Sequence, residues 1–480
     1  LQVAWIQFGY SINLRPMTGN HARKIEYLKK KASRISIREG AAYGLFDGFG
    51  LRYITPYALL LGMSNTLIGI LISLPQMLGT LIQLLTLKFL EKGIHRRTIA
   101  WVGTSLQTLM WFPIIFLGWL HFNYNLNNMV ISAGLMVFYS LMVIFGGIVG
   151  PAWSSWMGDI IPRQIGTYFG LRNRVVGFTT ILAMLSAGLI LQHFNRLGQP
   201  FTGFAIIFLI AFTGRALSSA LLKRQYEPEF HPQKEYYFTI WQFIRKIPQS
   251  NFGKFVTYVA LMQFAVYISS PFFAVFILED LHFNYFQFTL ITMTMPFVNM
   301  LLMPAWGRFA DRFGNLRVVR LTGFCLPIIP ALWVLAVFFI DRPVLAVLYL
   351  ILVETLSGFA WAGFNLTTVN FIYDAVTRQR MAICVAYYNI FNGIGMFLGG
   401  LIGGLIADLP FQFHRFSALA LVLMLSALIR LLVSAVMLPL IREVREVDHF
   451  DIKEARKRLA MLSPVDILRV LSLKLGNPRH

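Results

Sequence analysis

The chain has 480 residues, 57% hydrophobic and only 13% charged, with 43 Phe. A soluble domain of this length needs far more surface charge, so most of the chain must face lipid. The formal charge of +21 does not imply nucleic acid, because its placement follows membrane topology.

In chain order, residues 1–37 form an N-terminal segment with the basic groups Arg23-Lys24 and Lys29-Lys30-Lys31. The chain begins with Leu and Met17 heads that basic stretch, so residues 1–16 are expected to come from a non-standard start codon or to be untranslated. Twelve apolar runs then follow, each near the 20 or so residues that a spanning helix needs. They begin near Glu39, Thr66, Thr98, Met129, Thr167, Phe201, Lys254, Phe286, Arg317, Pro343, Arg380 and Phe416. With the N-terminus inside, only Arg196, Arg342 and Arg415 fall in outside loops, and Arg52, Arg215 and Arg430 lie within spans. The remaining Lys and Arg sit in or beside inside segments, as the positive-inside rule demands.

The first run carries Asp47 and Arg52, and the tenth carries Glu354. Charge within a membrane is costly, so each is a functional candidate. Five residues along a regular α-helix turn the chain by about 140°, so Asp47 and Arg52 are not expected to pair, and Arg52 is expected to reach Glu354. A structural ion pair and a substrate or proton role both fit. The loop at 223–253 holds Trp241-Gln-Phe-Ile-Arg245-Lys246, a pattern for a short interfacial helix. Glycines 393, 395, 399, 400, 403 and 404 point to close packing in the eleventh run. The tail 441–480 alternates apolar and charged residues and is expected to form a cytoplasmic helix pair.

The chain repeats itself. Asp159-x-x-x-Arg163-Gln164 returns as Asp374-x-x-x-Arg378-Gln379, an offset of 215, and Arg215-x-Leu217-x-Ser219-Ala220 returns as Arg430-x-Leu432-x-Ser434-Ala435 at the same offset. Pro56 and Pro271 match likewise. Pro75 with Pro296, Gly93 with Gly314 and Arg96 with Arg317 share an offset of 221.

The segment Gly307-Arg-Phe-Ala-Asp311-Arg312-Phe-Gly314-Asn-Leu-Arg317 reads G-x-x-x-D-R-x-G-x-x-R. It closely resembles the signature loop of the major facilitator superfamily of secondary transporters. The resemblance implies an all-α polytopic membrane protein of twelve transmembrane helices in two pseudo-symmetric six-helix bundles, 38–222 and 254–440, joined by a cytoplasmic central loop, with both termini cytoplasmic in the cell membrane. It implies gating roles for Gly307, Asp311, Arg312, Gly314 and Arg317, with Asp311 accepting from helix-end amides or a nearby Arg. Asp159, Arg163, Asp374 and Arg378 would join that gating network or serve as helix caps. In the family the first, fourth, seventh and tenth spans line the cavity, which makes Asp47, Arg52, Tyr139, Gln263, Tyr267, Glu354 and Asn365 the substrate-binding or coupling candidates. The first-half copy of the loop is degenerate, with Thr86 and Leu90 in place of Gly and Asp. Family members usually carry the stronger copy there.

The fourth span has no Arg and the fifth no Gly-Pro, which disfavours the family's drug–proton antiporters. There is no Walker-type phosphate loop, no metal-ligand spacing among the histidines and no nucleophile–base pair in the loops, so neither enzyme nor cofactor is expected. Cys325 and Cys384 lie in or near spans and form no disulfide framework. The expected function is alternating-access transport of a small organic solute by a monomer among membrane lipids, with proton coupling through Asp47 or Glu354 as one form of it. A uniporter, a lipid transporter and a non-transporting receptor or scaffold on the same fold are the alternatives.

Overall fold

The computed structural model describes residues 20–124, 126–161, 165–229, 239–377 and 380–447. Among them, eleven helices are long and apolar enough to cross a membrane: Asn65–Glu91, Arg96–Tyr124, Asn128–Ile160, Tyr168–Arg196, Pro200–Lys223, Asn251–Asp280, Tyr285–Phe313, Asn315–Phe339, Pro343–Ala375, Ile383–Ala407 and Ala418–Leu440. They are spans two to twelve. The first span is interrupted: helix Asn20–Phe49, a 3-10 turn Leu51–Tyr53, then helix Ile54–Leu60. Its helix starts well before Glu39, because a polar stretch continues the helical hydrogen bonding beyond the lipid. A two-residue hairpin, Gln412–Phe413 with Phe416–Ser417, lies between spans eleven and twelve.

Sequence chemistry fixes the span ends. Ser64, Asn127, Ser250, Asn284 and Ser417 each accept backbone N–H bonds at a helix start, satisfying donors that helix geometry leaves open. Thr239 and Gln242 form a reciprocal capping box that opens the short helix Ile240–Lys246. That helix buries Phe243 against Phe252, Tyr387 and Phe391 and leaves Trp241 exposed.

Two glycine ladders set the closest helix contacts. Gly395, Gly399 and Gly403 lie four apart on one face of the eleventh span, where an added Cβ would strike the carbonyl oxygens of Ala260, Phe264 and Ile268 in the seventh. Gly400 and Gly404, on another face, abut Gly69, Ser73 and Thr66 of the second. Gly40, Gly44 and Gly48 do the same for the first span, against Val176, Thr179 and Thr180 of the fifth. Without a hydrophobic drive between helices in lipid, such small-residue faces let backbones approach and gain dispersion contact.

Candidate functional site

The break in the first span has a local cause. Pro56 has no N–H to give the carbonyl of Arg52, four residues earlier, and its ring crowds that carbonyl. The helix therefore stops at Phe49, passes Gly50 at φ −109 and ψ −77, and resumes at Ile54. This overturns the regular-helix expectation for Asp47 and Arg52. Arg52 Nη2 donates to Asp47 Oδ2 at 3.1 Å, and Nε to the same oxygen at 3.4 Å.

Arg52 is set in an apolar run of the chain. Even so, its side chain is 43% exposed, against 16% for Asp47. The phenols of Tyr43 and Tyr139 are within electrostatic reach of the pair, and Tyr267 is within reach of Tyr139. Spans one, four and seven thus bring an ion pair and three tyrosines together, with Arg52 left partly exposed. Gln263 and Asn365 are half-buried on spans seven and ten.

Glu354 does not join them. Its Oε1 accepts from Trp333 Nε1 of the ninth span at 3.0 Å, and the expected reach of Arg52 to Glu354 is replaced by the pair with Asp47.

A buried polar cluster that the sequence reading did not single out ties spans one, three, five and six. Glu39 accepts from Arg172 Nη2 at 2.8 Å and from Ser218 Oγ at 2.8 Å. Arg215 donates to Ser218 Oγ at 3.0 Å and to Gln107 Oε1 at 2.7 Å, with its guanidinium over the rings of Tyr43 and Phe46. Glu39 marks the start of the first apolar run and Arg172 falls among the inside basic residues; only three-dimensional packing reveals them as buried partners. The repeat-related Arg430 donates to Ser269 Oγ at 2.7 Å, Val266 O at 3.4 Å and Leu326 O at 3.2 Å. Leu326 is four residues before Pro330, so a side chain supplies the hydrogen bond that the proline cannot. Both arginines are therefore helix-packing residues.

At the end that carries the basic segments, the signature turn has a different wiring from that expected. Gly314 turns at φ +93 between spans eight and nine, a conformation that only glycine adopts without strain. The helix-end amide expected to bond Asp311 goes instead to Glu443: Leu316 N donates to its Oε2 at 2.8 Å. Asp311 stands exposed, and Asp374 accepts from Asn315 Nδ2 at 2.6 Å. Gly307 has room around it, and Arg312 lies over the Phe313 ring. Arg317 is half-buried.

The degenerate first-half copy makes a buried ion pair. Arg96, with no exposed surface, meets Asp159 Oδ2 at 2.6 Å and Glu227 Oε1 at 3.4 Å, and its backbone N–H donates to Glu227 Oε1 at 2.8 Å. Glu227 and Glu443 do the same job in the two copies: each comes from the segment after a sixth-type span and caps the span that follows the turn. Lys29 Nζ donates to the Asp159 carbonyl at 2.7 Å, and burial holds its ammonium below the ordinary lysine value despite the nearby Asp159 carboxylate. Arg163 and Arg378 lie outside the described residues, as does the tail expected to form a helix pair over 441–480, except for 441–447, which is not helical.

The opposite end is closed by contacts between the first and last six spans. Asp408, after the eleventh span, accepts the backbone N–H groups of Asn65 and Thr66 at 2.9 Å each. The hydroxyls of Tyr53 and Thr289 are 2.7 Å apart. The Phe204 and Tyr285 rings meet edge to face at 5.6 Å.

Residues 255–473 match the model of the Major Facilitator Superfamily. A curated relative, the proton-coupled antiporter flippase LtaA of Staphylococcus haemolyticus (strain JCSC1435), is 30% identical over 103 residues, 21% of this chain and 26% of the relative. The match thus spans about a quarter of that relative's length. Among solved structures, a variant of the nucleoside transporter NupG is 14% identical with a TM-score of 0.63, covering 86% of this chain and 100% of that one. A bacterial homologue of the iron transporter ferroportin gives a TM-score of 0.60 in its inward-facing state, at 14% identity over 87% of this chain and 99% of that one. Its outward-facing state gives 0.51, at 15% identity over 86% and 98%. The chain is an all-α, multi-pass membrane protein with the fold of major facilitator transporters, and residues 255–473 of it match that superfamily.

Proposed function

We propose that this protein is a transporter that carries a small organic solute by alternating access, with 38–222 and 254–440 moving as two six-helix halves about a midplane site. The observation that carries this reading is the Asp47–Arg52 pair, set in an apolar run of the chain yet leaving nearly half of Arg52 exposed. Intramembrane charges held at such a cost mark solute or ion pathways. A pair offering one acceptor and one donor group, framed by tyrosine hydroxyls, suits an anionic or zwitterionic solute. Proton coupling, where it occurs, is assigned in this reading to Asp47, since Glu354 is taken up by Trp333.

The bonds of Asp408 and Tyr53 across the opposite end, and the better fit to the inward-facing ferroportin homologue, support an inward-facing form. In that form the cavity opens toward the basic end, with both termini cytoplasmic in the cell membrane. A lipid-linked cargo is the second reading, favoured by the relative named as a flippase.

The test is flux of candidate solutes and labelled lipids into proteoliposomes. Asp47→Asn and Arg52→Gln should each cut flux at least about tenfold, the effect of losing one charged hydrogen bond. Wild-type flux in both variants would remove the site. Binding without flux for every cargo would favour a receptor.

A further inference from the structure

The 3-10 turn Leu51–Tyr53 carries two unlike groups on adjacent residues. Arg52 is partly exposed, while Tyr53 is fully buried and points the other way. The Tyr53 hydroxyl lies 2.8 Å from the Met184 carbonyl of span five, to which it donates, and 2.7 Å from Thr289 Oγ1 of span eight. With the Tyr53 proton on Met184, Thr289 Oγ1 donates to the Tyr53 oxygen; its own Tyr285 carbonyl, 2.8 Å away, is the acceptor it turns to when that bond opens, and Gly188 backs directly onto Thr289. The ring of Tyr53 meets Phe288 edge on, with centroids 6.0 Å apart. This joint links the first six spans to the last six in a dry setting, where an unmade hydrogen bond is expensive.

We propose that Tyr53 is a positioning residue that couples occupancy of the Asp47–Arg52 site to closure of the end opposite Asp159 and Glu443. The inference rests on the alternating-access reading. A cargo group that draws Arg52 away from Asp47 must turn the short segment that holds it. Three residues of 3-10 helix, bounded by Gly50 and Pro56, have little hydrogen bonding to resist that turn. Tyr53 moves with Arg52, and its bond to Thr289 opens. Asp408, nearer the surface, then holds the end through its two bonds to Asn65 and Thr66, together with the Phe204–Tyr285 ring contact. Occupancy of the cavity is in this way transmitted by one residue step along the chain.

The experiment is a pulsed spin-label distance measurement between Leu197→Cys and Leu409→Cys, two exposed positions at the opposite end, in the full chain with Cys325 and Cys384 replaced by Ala. Tyr53→Phe and Thr289→Val should each raise the long-distance population about tenfold relative to the closed one, the size of one net buried hydrogen bond. The double variant should do no more than either single one. Asp47→Asn should raise the same population and add nothing to Tyr53→Phe, an epistasis that a purely packing role for Tyr53 would not produce.

Tyr57→Phe is the control: its hydroxyl donates to Ile114 within the same six spans at 2.9 Å and should leave the distances unchanged. Thr289→Val removes the joint from the other side, so misfolding of one variant does not hide the answer. An unchanged distribution in Tyr53→Phe, or additive effects of Tyr53→Phe and Asp47→Asn, would overturn the coupling. Distances that shift as expected with no flux of any cargo would keep the joint and remove the transport reading. Flux lost in Asp47→Asn with unshifted distances would do the reverse.

Discussion

An arginine at position 52 and an aspartate at 47 are the residues on which the functional account turns. They are visible in the sequence as charges in an apolar run, but their pairing is not, because the helical wheel assumes a continuous helix. The missing signal was Pro56, whose i−4 carbonyl belongs to Arg52; a proline-aware reading would have placed the break and brought the two side chains together. Since Arg52 is so open to water, the pair adds little to stability, below about 1 kcal/mol. Asp47→Asn should therefore leave the thermal midpoint within a few degrees of wild type while cutting flux, a split that a merely structural ion pair would not give. Glu354 is the contrasting case. Glu354→Gln keeps an acceptor for Trp333 Nε1, so flux should change less than about twofold; a large loss would return Glu354 to the cavity.

At the scale of elements, spans two to twelve are legible to within a few residues because the apolar runs and their caps are local features, whereas the first helix begins at Asn20, well before Glu39. The glycine-rich eleventh span was legible as a packing element, whereas the Gly40, Gly44, Gly48 ladder was not singled out, being spread through a span that charge made more conspicuous. Its role needs the fifth span as partner. Gly399→Val should lower the unfolding midpoint in detergent, because its Cβ would press on the Phe264 carbonyl, and overpacking of this kind costs about 1–3 kcal/mol. Gly150→Ala meets open space and should be neutral in the same assay. At the turns, the signature motif gave the location but not the wiring: Glu227 and Glu443, outside the motif, cap the third and ninth spans. Glu443→Gln should weaken the cap at Leu316 and loosen the Gly314 turn, read as faster amide exchange over residues 314–320 with the cavity spans unaffected.

Across the whole molecule, the repeat-related Arg215 and Arg430 find different partners. Arg215 bonds Ser218 and Gln107 beside the Arg172–Glu39 pair, and Arg430 bonds the Leu326 and Val266 carbonyls and the Ser269 hydroxyl. Offsets of 215 and 221 exposed the repeat, but not this divergence, because side-chain partners come from spans far apart in sequence. The shared feature is a kinked first-type span, broken at Leu51–Tyr53 in one half and at Ser270–Phe272 in the other. Each break follows from a repeat-related proline, and each lies at or beside a cavity residue, Arg52 or Tyr267. Rocking of the halves about these kinks is the central claim.

The most direct test is the reactivity of Gln263→Cys, in the chain lacking its two native cysteines, toward a membrane-impermeant thiol reagent applied to one face of oriented vesicles at a time. The account predicts labelling from the face carrying Asp159 and Glu443 in the resting protein, and from the opposite face once Tyr53→Phe loosens the closed end. Labelling from neither face in either protein, or from both faces at once, would contradict alternating access through this cavity.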